Sequence, residues 1–259
     1  LKSKIDHFKK WRTQIKKRLS IRKTIKIGIV GKYFATGAFI LSDSYISVIE
    51  AVKEASFASG VRAEIGWIDS DVYEKTPSRV KELEKYQGII VPGGFGKRGI
   101  EGKIRAIKYV REKKIPFLGL CYGMQLATIE FARNVCGMKD ANSTEINPYT
   151  KYPVIHIMAK QAELLKTKQY GNSMRLGSWP CILDKNSISF RSYKLKKISE
   201  RHRHRYEFNN DFRKKLMKSG LIFAGLSPDK ELVEIIELKG HPFFVGTQFH
   251  PELQSRLLQ

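Results

Sequence analysis

The segment Phe117–Gln125 (FLGLCYGMQ) places a cysteine between a short apolar run and the start of a helical pattern. Cys121 therefore lies where a buried strand ends and a helix begins, with Gly119 and Gly123 on either side. This G-x-C-x-G spacing is the cysteine form of the nucleophile elbow, whose tight turn favours glycine at the flanking positions. The positive end of the helix dipole favours the thiolate, which is the nucleophilic form of cysteine. The alternative interpretation is a buried, unreactive cysteine.

A cysteine nucleophile needs a base, and the base needs a group that orients it. Of the six histidines, His250 follows the apolar segment 243–249 and precedes Pro251 and Glu252. Pro251 restricts the local backbone, and Glu252 is close enough in sequence to hold the imidazole by one nitrogen. The sequence therefore predicts a Cys121–His250–Glu252 triad. The alternative is an ordinary strand-end histidine beside a solvated glutamate.

A glycine-rich stretch at residues 91–99 (VPGGFGKRG) is the third chemical feature, and it follows a short apolar strand. Its glycines allow backbone N–H groups to approach a ligand closely. Such a loop can donate hydrogen bonds to the oxyanion of a tetrahedral intermediate. The stretch fits neither the P-loop pattern nor a first-strand dinucleotide fingerprint. A flexible turn is the alternative interpretation.

An alternation of strands and helices must position these three features. Strands are predicted at residues 24–30, 61–68, 88–91, 115–120, 154–158, 221–225, 232–238 and 243–249. Helices are predicted at residues 42–58, around 104–110 and at 122–135. This order predicts an α/β fold with an open, mostly parallel central sheet and flanking helices. Sites of such sheets lie at the carboxyl ends of the strands, where all three features fall.

The charge of the chain suggests a second class of function. The 259 residues carry a formal net charge of +23, which is typical of nucleic-acid-binding modules. The excess lies in two blocks: residues 1–26 hold eleven Lys and Arg against one Asp, and residues 191–218 hold eleven against three acidic residues. The first block has apolar residues at helical spacing, which predicts an amphipathic helix. We favour packing on a neighbouring domain over a membrane surface or nucleic acid as its role.

Composition excludes several other classes. A hydrophobic content of 42 % and a charged content of 28 % are those of a globular chain. No apolar run reaches the roughly 18 residues that a membrane span needs, and no secretory signal pattern is present. Three cysteines are too few for a disulfide framework, so we expect a reducing, cytoplasmic setting with Cys136 and Cys181 structural.

In this order, the three chemical features resemble a class I, or triad, glutamine amidotransferase domain. The resemblance implies the flavodoxin-like fold of that family. Further segments resemble the glutaminase domain of the CTP synthase family: 88–102 (GIIVPGGFGKRGIEG), 141–145 (ANSTE), 174–177 (MRLG), 200–209 (ERHRHRYEFN), 232–237 (LVEIIE) and 243–253 (FFVGTQFHPEL). The resemblance covers about residues 25–253. It implies an interdomain linker helix at residues 1–23 and a glutaminase domain at residues 24–259.

The resemblance implies a role for each residue of the triad. Cys121 would attack the side-chain amide of L-glutamine and form a γ-glutamyl thioester. His250 would take the thiol proton and deliver it to the leaving ammonia, and Glu252 would orient His250. The backbone N–H groups of Gly94 and Tyr122 would form the oxyanion hole.

The resemblance also implies how glutamine is held. Glu145 of ANSTE would hold the α-amino group, and Arg205, the last arginine of RHRHR, would hold the α-carboxylate. Gln125 belongs to the substrate-contacting stretch after the nucleophile, and Gly93 and Phe95 belong to the lid and oxyanion region. A zwitterion needs one fixed anion and one fixed cation, and arginine suits a carboxylate.

Members of this family carry an amidoligase domain before the glutaminase domain. The resemblance implies that the missing domain binds ATP with Mg²⁺, activates UTP and accepts ammonia, that GTP is an allosteric activator, and that the complete protein is a homotetramer. No cofactor or metal is expected in the glutaminase domain itself.

Three features depart from the family pattern. Tyr122 stands where many members have leucine, residues 36–41 look like an insertion, and the chain ends seven residues after Glu252, where the family continues into a helix. Another triad amidotransferase, a γ-glutamyl hydrolase or a basic nucleic-acid-binding module remain the alternatives.

Overall fold

The structure, a computed structural model, describes residues 2–32, 45–94, 96, 98–157 and 174–256, without the side chains of residues 2–7, 10, 14 and 17. The helices are α1 (Lys2–Ser20), α2 (Ile46–Ala58), α3 (Ser70–Lys75), α4 (Ile100–Glu112), α5 (Tyr122–Asn134), α6 (Ile188–Tyr193) and α7 (Arg213–Lys218). Short 3-10 helices span Pro77–Lys85, Asn210–Phe212 and Pro251–Leu253. The strands are β1 (Thr24–Gly31), β2 (Arg62–Asp69), β3 (Gly88–Val91), β4 (Phe117–Leu120), β5 (Ala141–Ser143), β6 (Tyr152–Ile157), β7 (Arg175–Leu183), β8 (Lys197–His204), β9 (Tyr206–Phe208), β10 (Leu221–Leu226), β11 (Val233–Leu238) and β12 (Phe244–Thr247).

A nine-stranded sheet organises the described chain in the order β2-β1-β3-β4-β12-β11-β10-β7-β8. The strands from β2 to β12 pair in parallel, and those from β12 to β8 pair antiparallel. The predicted α/β class with an open central sheet is confirmed. A separate sheet of β5, β6 and β9 lies outside it.

The predicted strands differ from the observed ones mainly at their ends, but β5, β7, β8 and β9 have no counterpart among the predicted strands. β3 has the predicted bounds, whereas β12 ends at Thr247, two residues earlier than predicted. His250 therefore follows its strand in a short connection. The first residues of the helix predicted at 42–58, and the insertion at residues 36–41, lie outside the described residues.

Both basic blocks form regular structure. The predicted amphipathic helix is α1, whose Arg18 pairs with Glu54 of α2 and lies 4.6 Å from the centre of the Phe57 ring. Phe8 and Trp11 stack on each other and stay exposed. In the second block, the alternation of arginine and histidine in RHRHR predicts that an extended segment would divide its side chains between two faces. The side chains of β8 are alternately exposed and buried, as this pattern predicts.

Helices cover both faces of the parallel strands. Side chains of α4 and α5 form one apolar cluster with β3, β4 and β12, in which the Phe117 and Phe244 rings stack with centres 4.5 Å apart. The opposite faces of β1, β3 and β4 pack against α2. This packing fixes the carboxyl ends of β3, β4 and β12 next to one another. None of the described helices has the length and apolarity that crossing a bilayer requires.

Candidate active site

Cys121 occupies the turn between β4 and α5, and its backbone is strained there. Its φ of 50° and ψ of −99° are values that residues other than glycine rarely adopt. Its N–H donates to the carbonyl of Thr247 on β12 over 2.7 Å, so the neighbouring strand holds the turn. The residue is buried at the N-terminus of a thirteen-residue helix.

The glycines on either side of Cys121 have no room for a side chain. A Cβ at Gly123 would lie 2.0 Å from the carbonyl oxygen of Val91, and one at Gly119 would lie 2.8 Å from the backbone of Gly123. Strand β3, strand β4 and the start of α5 thus approach one another closely. This close approach explains why glycine occupies the positions two residues before and two residues after Cys121.

His250 and Glu252 reach the same edge of the sheet through β12. This strand pairs in parallel with β4, with Thr247 opposite Leu120, so the chain leaving β12 arrives beside Cys121. The Nδ1 atom of His250 lies 2.7 Å from Glu252 Oε1. The His250 N–H donates to the carbonyl of Arg201 over 2.8 Å, which fixes the connection after β12 against β8.

The surroundings of His250 favour its protonated form. Burial of the imidazole lowers its pKa, but a hydrogen bond with Cys121, the hydrogen bond with Glu252 and the charges of both groups raise it, to about 10. The imidazole therefore contacts the sulfur and the carboxylate at once. This arrangement keeps the imidazole of His250 protonated at neutral pH.

Gly93 brings the glycine-rich loop against His250 and Cys121. A Cβ at Gly94 would instead lie 3.7 Å from both Lys103 Nζ and Lys32 Cε. A Cβ at Gly93 would lie 2.9 Å from His250 Cε1 and 3.7 Å from Cys121 Cβ. Residue 93 therefore borders the reacting groups directly. Phe95, the third residue predicted for this region, lies outside the described residues.

Two buried lysines flank the loop. Lys32 Nζ donates to the carbonyl of Gly96 over 3.3 Å, and the Tyr122 hydroxyl donates to the same oxygen over 3.4 Å. Lys103 Nζ lies 5.8 Å from the centre of the Tyr122 ring and has no hydrogen-bond partner among the described residues. Burial and the charge of Lys32 lower the pKa of Lys103 to about 7, against the opposite effect of Asp71.

Glu145 and Arg205 bring an anion and a cation into one region of the site. Burial raises the pKa of Glu145, while the charges of Arg205 and Lys32 lower it. Burial and the charge of Glu145 together raise the pKa of Tyr122, the residue that follows Cys121. The carboxylate therefore lies close enough to both the guanidinium and the nucleophile turn to interact with them. Such a pair of opposite charges matches the two charged groups of an amino acid.

Gln125 is buried on the first turns of α5, and its amide nitrogen is already engaged. Nε2 donates to the carbonyl of Tyr206 over 3.1 Å and to Gln248 Oε1 over 3.3 Å. Its Oε1 has no hydrogen-bond partner among residues that the structure describes. This oxygen can accept a hydrogen bond from a ligand.

Known proteins share both the sequence pattern and the fold. The class-I glutamine amidotransferase family model matches residues 40–258. The chain belongs to this family. A solved structure of a putative GMP synthase subunit from Thermoplasma acidophilum is 16 % identical to this chain, with a TM-score of 0.54. The match covers 89 % of this chain and 86 % of that one, and at this identity it shows a shared fold alone.

Within the amidotransferase family, the chain is most informatively compared with CTP synthases. CTP synthases from Clostridium beijerinckii and Bacillus subtilis are 51 % and 49 % identical to it over 247 residues. This aligned region covers 95 % of the chain and 44 % of each relative, so the chain spans less than half of their length. The glutaminase domain of Trypanosoma brucei CTPS, solved with bound acivicin, is 36 % identical with a TM-score of 0.82, covering 90 % of this chain and 88 % of that one.

Three residues of this amidotransferase site were not predicted from sequence. Lys32 follows β1, next to β3 in the sheet, so the strand-end criterion applied to Cys121 could have found it. Gln248 lies in the segment that contains His250, and its Nε2 is 3.8 Å from Cys121 Sγ. Lys103 lies within a helix, neither at a strand end nor in the segment that contains His250. In the described ranges, no group of three or more His, Cys, Asp or Glu side chains could hold a metal ion.

Proposed function

We propose that this chain hydrolyses L-glutamine to glutamate and ammonia through a triad of Cys121, His250 and Glu252. The observation that carries this proposal is the position of His250, which contacts Cys121 on one side and Glu252 Oε1, at 2.7 Å, on the other. A nucleophile, a base and an orienting carboxylate in that order are the parts that acyl transfer to a thiol needs.

The first step is attack of Cys121 Sγ on the amide carbon of the glutamine side chain. Negative charge then develops on the amide oxygen, and the N–H groups of Gly94 and Tyr122 are the proposed donors to it. Tyr122 is the first residue of α5, so its N–H has no acceptor within the helix and is available for this role. The buried Lys32, whose Nζ donates to the carbonyl of Gly96, adds positive charge beside the same loop.

The imidazolium of His250 then delivers its proton to the amide nitrogen. The carbon–nitrogen bond breaks, ammonia leaves, and the acyl group remains as a γ-glutamyl thioester on Cys121. Neutral His250 next takes a proton from water, which attacks the thioester and releases glutamate. Glu252 holds Nδ1 throughout, so the ring presents its other nitrogen to the reacting atoms.

We assign substrate recognition to three polar side chains. Glu145 binds the α-ammonium group of glutamine, Arg205 binds its α-carboxylate, and Gln125 Oε1 accepts a further hydrogen bond from the substrate. The charge of Arg205 lowers the pKa of Glu145, and this interaction supports the assignment because it needs the two groups in one region of the site. Gly93 would border the amide end of the ligand, beside His250 and Cys121.

In the complete protein, the released ammonia would be used for ATP-dependent amination of UTP to CTP in a preceding synthetase domain. ATP and Mg²⁺ would bind in that domain, GTP would act as an allosteric activator, and the assembly would be a cytoplasmic homotetramer. We assign residues 1–23 to the connection between the domains and residues 24–259 to the glutaminase domain. The exposed Phe8, Trp11 and Leu19 of α1 would pack on the neighbouring domain.

The test measures glutamate and ammonia released from L-glutamine. Cys121→Ala should abolish release, whereas Cys136→Ala, a matched change beyond the far end of α5, should leave it unchanged. Turnover that survives Cys121→Ala contradicts the triad assignment. In the full-length protein, Cys121→Ala should remove glutamine-dependent formation of CTP and retain formation of CTP from added ammonia; no CTP from either source contradicts the synthetase assignment.

A further inference from the structure

Gln248 makes a contact with the nucleophile that the proposed mechanism does not yet use. Its side chain is completely buried, and its Nε2 lies 3.8 Å from Cys121 Sγ, within hydrogen-bond distance for a sulfur acceptor. An amide N–H is a neutral donor whose hydrogen bond becomes stronger when the sulfur is anionic. The contact is therefore worth more to the thiolate than to the thiol.

The neighbours of Gln248 determine which end of its amide faces the sulfur. The carbonyl of Tyr206 can only accept a hydrogen bond, so the Gln125 atom 3.1 Å away from it must be the nitrogen. The same nitrogen contacts Gln248 at 3.3 Å, so the Gln248 atom there must be the oxygen. The Gln248 nitrogen is consequently left to face Cys121. The orientation follows from the network and not from the sulfur contact itself.

The network continues into the fold beyond Tyr206. The Tyr206 carbonyl also lies 3.1 Å from His204 Nδ1, which must carry a proton to make this contact, and His204 Nε2 lies 2.8 Å from His202 Nδ1. Both histidines are buried on β8. The Gln248 N–H donates to the carbonyl of Glu234 on β11 over 2.8 Å. Backbone and side chain of Gln248 are thus fixed from two sides.

We propose that Gln248 is a further catalytic residue: its side-chain amide donates a hydrogen bond to Cys121 Sγ and stabilises the thiolate beside His250. The proposal rests on the glutaminase mechanism for its chemical meaning. Because the bond favours the anionic sulfur, it raises the fraction of protein that is ready to attack. No covalent bond of Gln248 forms or breaks.

The experiment follows alkylation of Cys121 by iodoacetamide, which reports the thiolate independently of glutamine turnover. The rate at Cys121, located by mass spectrometry, is measured against pH for wild type, Gln248→Met and Gln248→Glu. Methionine keeps a similar volume without the donor, and glutamate keeps the shape but replaces the donor with an acceptor. Gln87→Met is the matched control, because Gln87 is exposed and also loses one hydrogen bond, the one from Lys26 N.

We expect the pH midpoint of alkylation to rise by about one unit in both Gln248 variants and to stay unchanged in Gln87→Met. A wild-type midpoint in folded Gln248 variants overturns the proposal. Nuclear magnetic resonance of the unmutated protein makes the test independent of folding: the Gln248 side-chain amide should titrate with the alkylation midpoint and lose that titration in Cys121→Ala. A Gln248 side-chain amide signal that does not change with the alkylation midpoint, or that titrates equally in Cys121→Ala, also overturns the proposal. If the wild-type protein does not hydrolyse glutamine but the alkylation midpoint shifts in the Gln248 variants, the proposed function is contradicted and the Gln248–Cys121 hydrogen bond is not.

Discussion

Gly93 lies directly against the imidazole of His250, where a Cβ would approach Cε1 to 2.9 Å. Gly93→Ala should therefore push the ring away from Cys121 while leaving the fold intact. We expect the kcat for glutamine hydrolysis to fall about 100-fold, because misplacing a catalytic group by about 1 Å can slow a reaction by that factor.

Gly88→Ala is the matched control for this change. Gly88 lies on the strand that leads into the same loop, but its Cβ would meet Ile27 at an ordinary contact distance of 3.4 Å. Its kcat should stay close to that of wild type. Equal losses in both variants, or a melting temperature that falls with the activity of Gly93→Ala, would show that packing of the strand and not the position of His250 is responsible.

The second prediction concerns the alkaline limit of activity. In the proposed mechanism, His250 must be protonated to deliver a proton to the departing amide nitrogen, and its pKa is raised from an ordinary value of 6.5 to about 10. The kcat should therefore persist through neutral pH and fall as the pH rises through about 10. In Glu252→Gln, the carboxylate that raises this pKa is lost, so the alkaline limb should move to lower pH by about one unit.

Glutamate release measured across the alkaline range checks this prediction. An alkaline limb at the same pH in wild type and Glu252→Gln would contradict the role of the Glu252 charge. The variant retains a hydrogen-bond partner for Nδ1, so a loss of activity without any change in the pH profile would assign Glu252 to orientation alone.

The third prediction concerns recognition of the α-ammonium group by Glu145. In Glu145→Gln, the KM for glutamine should rise about ten- to a hundredfold with a smaller change in kcat, because a hydrogen bond between charged groups contributes about 1.5 to 3 kcal/mol. Glutaramate, which lacks the amino group, provides the internal control. Wild type should strongly prefer glutamine to glutaramate, and the variant should lose most of that preference; an unchanged preference would place the ammonium elsewhere.

Local chemistry explains why the sequence could predict that Cys121, His250 and Glu252 lie together. The turn at Cys121 and the connection that carries His250 each combine a strand end with residues of special conformation within a few positions. The sequence of β8 also indicates which of its side chains are buried, because burial on one face of a strand repeats at every second residue. Such signals need no knowledge of distant parts of the chain.

Gln248 and Lys103 needed the tertiary structure. Gln248 becomes significant only because β12 pairs with β4, which brings residues more than a hundred positions apart into contact. Lys103 follows Ile100 at the spacing of the buried face of α4, but a lysine there ordinarily extends its charged end to solvent. The antiparallel half of the sheet was not predicted for another reason: β10, β11 and β12 are consecutive strands with short connections, and their apolar runs do not indicate in which direction they pair.

Lys103 leads to the last prediction, which concerns stability. Its Nζ has no hydrogen-bond partner in the described part of the chain, and burial followed by the charge of Lys32 lowers its pKa from 10.5 to about 7. Between these two values the unfolded chain binds the proton and the folded chain does not, so this residue makes the protein less stable as the pH falls from about 10.5 to about 7.

Lys103→Met, which fills the same space without a charge, should remove this dependence. The free energy of unfolding, measured with a denaturant, should show a stabilising effect of Lys103→Met that is about 3 kcal/mol larger near pH 6 than near pH 9.5. Lys108→Met, which changes an exposed lysine of the same helix, should differ from wild type by an amount that does not depend on pH. A pH-independent difference for Lys103→Met as well would mean that the buried amine keeps its proton throughout this range, with Asp71 outweighing burial and Lys32.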